Sequence, residues 1–378
     1  MDACDVLIVG AGPAGSACAW ALRRAGIDTV IIDKRNFPRD KVCGGWITPA
    51  VIEELQIDTA DYARSRVLQP LTGFRTSRMG DREVQTDYGE PVSYGIRRCE
   101  FDAFLLARSG ARVLQDTPLK RMERAGDWWM VNGEIKARVV IGAGGHFCPV
   151  ARFLGADARQ ETAVAAQEIE FEMDPEQRAG CEIRGEVPEL FFCADMKGYG
   201  WCFRKQNFLN IGLGRLDPRG LPGHVAEFVA FLRRAGKINF DLPRSMAGHA
   251  YLLYSKTNRN PTGDGIILIG DATGVAYSQS GEGIRPAIES GLLAAKVIAA
   301  AAGEYTREKF AAYRAALAER FGDAGREIST SVGARLPGKW VELLGRVVLA
   351  NGWFSRHVVL DRWFLHRNQP ALRLSAAI

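Results

Sequence analysis

The chain has 378 residues, 47% of them apolar and 25% charged, with a formal net charge of +5. That length is generous for one compact core and points to two intimately joined domains, and the mild positive balance suits an anionic cofactor or substrate. No basic block points to nucleic acid, no apolar run reaches membrane-spanning length, and strand-like sequence beginning by residue 5 leaves no room for a signal peptide.

In chain order, the apolar run Val6-Leu7-Ile8-Val9 leads into Gly10-Ala11-Gly12-Pro13-Ala14-Gly15 and a helix-like stretch through Ala21-Leu22. A second run, Thr29-Val30-Ile31-Ile32, ends at Asp33, with Lys34 and Arg35 behind it. This is the strand–turn–helix–strand of a dinucleotide-binding unit. Gly10 allows the tight turn, Gly12 lets the backbone approach a pyrophosphate, and Gly15 lets helix and strand pack closely. The helix N-terminus offers unpaired N–H groups to the phosphates. Asp33 is placed to accept from ribose hydroxyls, and Lys34 and Arg35 are assigned to the same cofactor contact.

Residues 51–70 read as helix, and glycine-punctuated extended segments follow through Tyr94. A short helix is expected around Phe101–Arg108, two polar strands flank Gly126-Asp127, and Arg138–Gly142 reads as a buried parallel strand. From about 160 to 260 the pattern alternates, as in Glu168–Met173 and Phe208–Leu213, which predicts antiparallel sheet with one covered face. A helix around His224–Ala235 interrupts it. Tyr199, Trp201 and Phe203 alternate on one strand, so their rings share a face. Gly265–Ile269 returns as a buried strand, followed by Gly270-Asp271-Ala272, then Gly281-Glu282-Gly283-Ile284 and a helix over Pro286–Ala302. The rest reads as helices. The stretch from Trp340–Leu344 to Trp363–Leu365, with Arg346, Arg356, Arg362 and Arg367 interleaved, suits either an amphipathic pair packed on the core or a lid or membrane-surface pair. The eight cysteines and five histidines show no metal-ligand spacing, so no metal site is expected, and free thiols suit a reducing cytoplasm.

A second phosphate-side turn so far downstream of the first implies a cofactor larger than a nicotinamide dinucleotide, stretched across the sheet. With the glycine fingerprint and Asp33, the Arg138–Gly145 strand-turn and Gly270-Asp271, the chain resembles the flavoprotein group that includes para-hydroxybenzoate hydroxylase, flavin-dependent halogenases and geranylgeranyl reductases. Lys41-Val42-Cys43-Gly44-Gly45, the late block from Gly270 to Gly291, and Tyr199-x-Trp201-x-Phe203 are most similar to the geranylgeranyl reductase branch. The fold that this implies is α/β, a Rossmann-like FAD-binding domain with an inserted antiparallel β-sheet substrate domain and a C-terminal helical segment. The FAD domain is discontinuous over 1–75, 95–158 and 262–320, the sheet domain takes 76–94 and 159–261, and the helical segment takes 321–378.

The resemblance also implies roles. Asp271 would hydrogen-bond the ribityl chain, and the helix N-terminus near Gly281, Gly283 and Ile284 would face the flavin pyrimidine edge. Arg98 would lie near the FAD phosphates, and Cys43, Gly44 and Gly45 would lie against the flavin ring. Tyr199, Trp201 and Phe203 would line a lipid cavity. The implied reaction is hydride delivery from reduced FAD to a carbon–carbon double bond of an isoprenoid or lipid-like substrate, with Cys43 or a pocket water supplying the proton. The alternatives are a flavin monooxygenase or halogenase, and a flavin-binding redox sensor. The chain departs from the family at Gly144-Gly145, Cys148 and Ala151, which leaves NADPH and a redox partner protein both open as electron donor, and Arg204 stands where the reductases have proline.

Overall fold

The structure, a computed structural model, describes residues 2–325 and 345–373, so Trp340–Leu344 lie outside the described residues. Asp2–Val9 is a central strand of an eight-stranded sheet. It pairs parallel with Thr29–Ile32 on one side and Ile135–Gly142 on the other. Arg112–Leu114 and Ile266–Leu268 extend the sheet in parallel at its two flanks. Val6, Leu7 and Ile8 are all fully buried, because the helices Pro13–Arg24 and Ile284–Ala300 cover one face of the sheet and the strand Trp128–Val131 with the short helix Pro149–Phe153 packs on the other. Parallel strands share one carboxyl edge. The turns Gly10–Gly15, Asp33–Arg35, Ala143–His146 and Gly270–Ala272 therefore gather there, where ligands bind in such sheets.

The second sheet has seven strands, and all its pairings are antiparallel except that of Glu189–Phe192 with Gly73–Arg78. The alternation predicts one covered face; the structure covers both. The helix Leu221–Arg234 packs on one side through Phe228 and Leu232. The loop Lys41–Gly45 lies on the other, where the Asn210 amide donates to the Cys43 carbonyl. Glu168, Lys205 and Asn210 are therefore buried although their spacing reads as solvent-facing. A small third sheet of Trp46–Ile47, Ser93–Ile96 and Leu68–Leu71 ties this loop to the second sheet.

The helix expected over 51–70 is two short helices, Pro49–Glu54 and Thr59–Ala63, followed by the strand Leu68–Leu71. Gln56 at φ 51° breaks the first helix, and the Asp58 carboxylate caps the second by accepting from Ala60 and Asp61 N–H. At the C-terminus a π-helical segment, Ser355–Phe364, buries Val359, Leu360 and Phe364 in one apolar cluster with Trp46 and Phe203. No described helix is long and apolar enough to cross a membrane.

Candidate functional site

Backbone shape defines one end of the site. Gly10 has φ +118°, and a Cβ there would run into the Ala143 carbonyl. A Cβ on Gly15 would run into the Gly10 carbonyl. Gly12 is different: the nearest atom to a Cβ there is Arg39 Nη2 at 3.6 Å, so the space in front of it is open. Gly12 is the N-cap of the helix Pro13–Arg24 and has no side-chain cap, so the N–H groups of the first turn face that space. Asp33, nominated for ribose, also fastens the turn. Its Oδ2 accepts from Ala11 N–H at 2.7 Å and its Oδ1 from Arg35 N–H at 2.9 Å. Arg98 is buried at the wall and forms a bidentate pair with Asp102, at 2.8 and 2.9 Å, which also draws Arg39 to 3.4 Å. This arginine is preset by a carboxylate one turn along its own helix.

The late turn meets the first one closely. Gly270 has φ +61°, and its N–H donates to Ser290 Oγ at 2.8 Å. Beside it Asp271 Oδ2 lies 3.6 Å from His249 Nε2, and the Lys41 ammonium sits 3.0 Å from each ring nitrogen of His249. Burial drives the Lys41 pKa down to about 8, against the pull of Asp271. Burial lowers His249 as well. Asp271 stays below the usual carboxylate range, because His249 and Lys41 outweigh the burial that would raise it. Underneath, a buried Arg259–Glu161 ion pair binds the late turn to the Ala143–His146 turn: Arg259 donates to the Ala272 carbonyl at 2.9 Å and to the His146 carbonyl at 2.9 Å. Gly283 caps the helix Ile284–Ala300 without a side-chain partner. Burial raises the neighbouring Glu282 to about 7; one of its oxygens accepts from Arg285 N–H at 2.7 Å, and the other, equally buried, has no partner among the described residues.

Side chains define the other end. A Cβ on Gly44 would lie 3.3 Å from the Phe203 ring and 3.4 Å from Trp201 Nε1, so glycine lets the loop lie flat against the aromatic face. Gly45, at φ +63°, crosses the Ile96 carbonyl and the Lys205 ammonium too closely for any side chain. Asn210 holds the assembly: its amide donates to the Cys43 carbonyl at 3.1 Å and to Glu168 at 2.9 Å, and its oxygen accepts from Trp201 Nε1 at 2.7 Å. Burial raises the Glu168 carboxyl to about 7. The Tyr199 hydroxyl donates to the Ser280 carbonyl at 2.6 Å, which links the aromatic strand to the approach of the late helix.

Every residue nominated from the sequence except Gly15 lines one cavity of about 750 Å³; Gly15 packs beneath it, between helix and strand. The residues fit a flavin dinucleotide: an open approach at Gly12, the uncapped N-terminus of Pro13–Arg24, the glycine-flanked start of Ile284–Ala300, and cations at Arg39, Lys41 and Arg98 suited to phosphates. The sequence reading did not assign Arg39, Lys41, His249, Glu168, Asn210 or Phe364. Lys41 stands in the quoted run before Cys43, and Asn210 in an alternating strand, which were usable signals; nothing in the local pattern marks His249 or Phe364.

Comparison with known proteins agrees with this geometry. Residues 3–58 match the family described as FAD binding domain. A menaquinone reductase of Mycobacterium tuberculosis is 33% identical over 326 residues, covering 79% of this chain and 77% of the relative. Digeranylgeranylglycerophospholipid reductase 1 of Methanothermobacter thermautotrophicus is 28% identical over 345 residues, covering 84% and 83%. Among solved structures, a geranylgeranyl bacteriochlorophyll reductase-like protein of Thermoplasma acidophilum superposes with a TM-score of 0.78 at 22% identity, covering 97% of this chain and 98% of that one. A halogenase in complex with FAD superposes at 0.69 with 17% identity, covering 96% and 85%.

Proposed function

This chain belongs to the geranylgeranyl reductase-like family of FAD-dependent oxidoreductases, and we propose that it reduces a carbon–carbon double bond in the isoprenoid chain of a lipid-like substrate. The observation that carries the reading is the continuity of one cavity from the Gly10–Gly15 turn to the Tyr199/Trp201/Phe203 face, with Cys43 and Gly44 between them. Menaquinone and a digeranylgeranyl glycerophospholipid, the compounds named for two relatives, share a polyisoprenoid chain and little else.

Bound FAD, once reduced, supplies the hydride. In this reading Gly10, Gly12, Pro13, Ala14 and Gly15 shape the phosphate cradle, Asp33, Lys34 and Arg35 hold the ribose end, and Arg98 holds phosphate. Asp271, Gly270, Gly281, Gly283 and Ile284 take the ribityl and pyrimidine side, where the positive end of the Ile284–Ala300 helix stabilises negative charge. Tyr199, Trp201 and Phe203, with Gly44 packed against them, give the apolar chain its wall and exclude water. The Cys43 thiol, which accepts the Gly45 N–H at 3.5 Å on the cavity wall, holds the proton for the second carbon.

The test is product mass after anaerobic incubation of the reduced enzyme with geranylgeranyl diphosphate, menaquinone and a geranylgeranyl lipid. The expected product carries two extra hydrogens per reduced double bond, and they survive re-exposure to air; hydrogens placed on a quinone ring would be lost again. A Cys43→Ala variant should lower the rate. Formation of an oxygen or halogen adduct in air, with no hydrogenated chain, would overturn the reading. Bleaching of the flavin by NADPH in the same cuvette tests the donor, against a redox partner protein.

A further inference from the structure

Beyond Gly44 the cavity wall is completed by a residue from the other end of the chain. Phe364 lines the cavity and is only 1% exposed. Its ring stacks on Trp46, with centroids 5.6 Å apart and planes 17° apart, and meets Tyr199 edge-on at 5.3 Å. The ring belongs to one apolar cluster with Phe74, Phe192 and Leu360, so the described residues packed with it make that stretch of wall apolar.

The ring is held from both flanks. Before it, Asp361 accepts from the Tyr88 hydroxyl at 2.8 Å. After it, His366 stacks on Tyr277 at 3.6 Å, and the Tyr277 hydroxyl donates to Gln369 at 3.0 Å. The segment between is π-helical, and its last turn closes with Leu365 N–H on the Leu360 carbonyl at 2.8 Å. A wall fixed this way acts as a stop rather than a swinging door.

Size makes the stop matter. Cavities of about 300–1,000 Å³ ordinarily take one small ligand. This one, at about 750 Å³, has to take a dinucleotide and the reacting part of a second molecule. We propose that Phe364 sets the length of isoprenoid chain the site admits, so that the enzyme engages a short stretch of chain and leaves the remainder outside. This rests on the isoprenoid reading above.

The experiment uses the FAD-loaded full chain as wild type, Phe364→Leu, Phe364→Ala and Phe364→Trp, with folding checked by thermal melting. Isoprenoid alcohols of two, three, four and nine isoprene units are the probes. Binding is read from quenching of tryptophan fluorescence, since Trp46 and Trp201 line the cavity, and reduction is read by product mass. In the wild type, affinity should rise with chain length and then break. Phe364→Ala should move the break, beyond which added units bring no further affinity, at least one unit longer and tighten the first alcohol past it about tenfold, Phe364→Leu should move it less, and Phe364→Trp should move it shorter. If Phe364→Ala does not fold, the leucine and tryptophan variants still carry opposite expectations. Binding with the break unmoved in the folded variants overturns this proposal alone. Absence of binding by any alcohol to the wild type overturns the isoprenoid reading and this proposal with it.

Discussion

The two ends of the cavity are built from different materials. The dinucleotide end is backbone: glycines at φ +118° and +61°, helix starts with glycine at the N-cap, and carbonyls so close that no side chain fits between them. The substrate end is side chain, with Asn210, Glu168, Trp201, Phe203 and Phe364 arriving from three separate parts of the chain. Backbone-built sites fail all at once when a methyl group is added. Side-chain-built sites can be adjusted one residue at a time, and that makes them the place where relatives with different substrates can diverge.

The sharpest way to break this contrast lies within the glycine turn. Gly10→Ala puts a Cβ against the Ala143 carbonyl at a backbone angle that disfavours it, and should cost more than about 3 kcal/mol or abolish folding. Gly12→Ala meets nothing nearer than 3.6 Å, so the cofactor-free protein should melt within about 1 kcal/mol of wild type. Its FAD dissociation constant should still rise at least about tenfold, because the open space belongs to the cofactor. Thermal melts without FAD and fluorescence titration with it separate the two. Equal loss of fold in both variants would show that the turn is a structural corner and nothing more.

At the other end the corresponding change is Asn210→Leu. It strands the Cys43 carbonyl, Trp201 Nε1 and the Glu168 carboxyl without their partner. Unmet buried polar groups cost about 1–3 kcal/mol each, so about 2–4 kcal/mol in urea unfolding is expected after partial relaxation. Glu168 adds a pH signature. Its pKa is raised from 4.5 to about 7 by burial, so the stability it lends is complete below 4.5 and is lost as pH rises through 7. Glu168→Gln should flatten that part of the stability profile; an unchanged slope would remove Glu168 as its source.

The same contrast explains what the sequence could and could not reveal. Gly10, Gly12, Gly15 and Asp33 lie within one short stretch, and their spacing is the geometry itself. The parallel strands Asp2–Val9, Ile135–Gly142 and Ile266–Leu268 were legible as apolar runs for the same local reason. Asn210 and Cys43, or Phe364 and Trp46, meet only after the chain has folded. The outward-reading spacing of Glu168 and Asn210 misleads because a loop from residues 41–45 covers the face that would otherwise meet water. The region 51–70 misled in another way: its composition favours helix, but Asp58 caps a new helix and Gln56 turns the chain.

Lys41 sits where the two kinds of construction meet, on the loop but against Asp271 of the late turn. Lys41→Met should weaken FAD binding by about ten- to a hundredfold, the range of about 1.5–3 kcal/mol for a hydrogen bond to a charged group. The pH dependence has a definite sign. In the free protein burial lowers this lysine to about 8, and an anionic ligand raises it. Affinity should therefore be full below pH 8 and fall as pH rises above it, as the proton has to be taken up on binding. Fluorescence titration from pH 7 to 9.5 reads this; the Lys41→Met variant should show no such fall, and a fall of the same size in the variant would assign the linkage elsewhere.

Tyr199→Phe should have the smallest effect and sharpens the comparison from the other side. The hydroxyl donates to the Ser280 carbonyl at 2.6 Å, a bond between neutral partners, so about 1 kcal/mol of stability is expected to go with it. Burial holds the phenol well above its ordinary pKa, so the hydroxyl keeps its proton at both pH 6 and pH 9. The loss should accordingly be the same at pH 6 and pH 9, in contrast to the loss at Lys41. The ring itself stays in place against Trp201 and Phe364, so the aromatic wall is preserved and isoprenoid binding should change less than twofold. A larger change, or one that grows with pH, would mean that the hydroxyl faces the substrate rather than the Ser280 carbonyl, and that the apolar end of the cavity has a polar contact of its own.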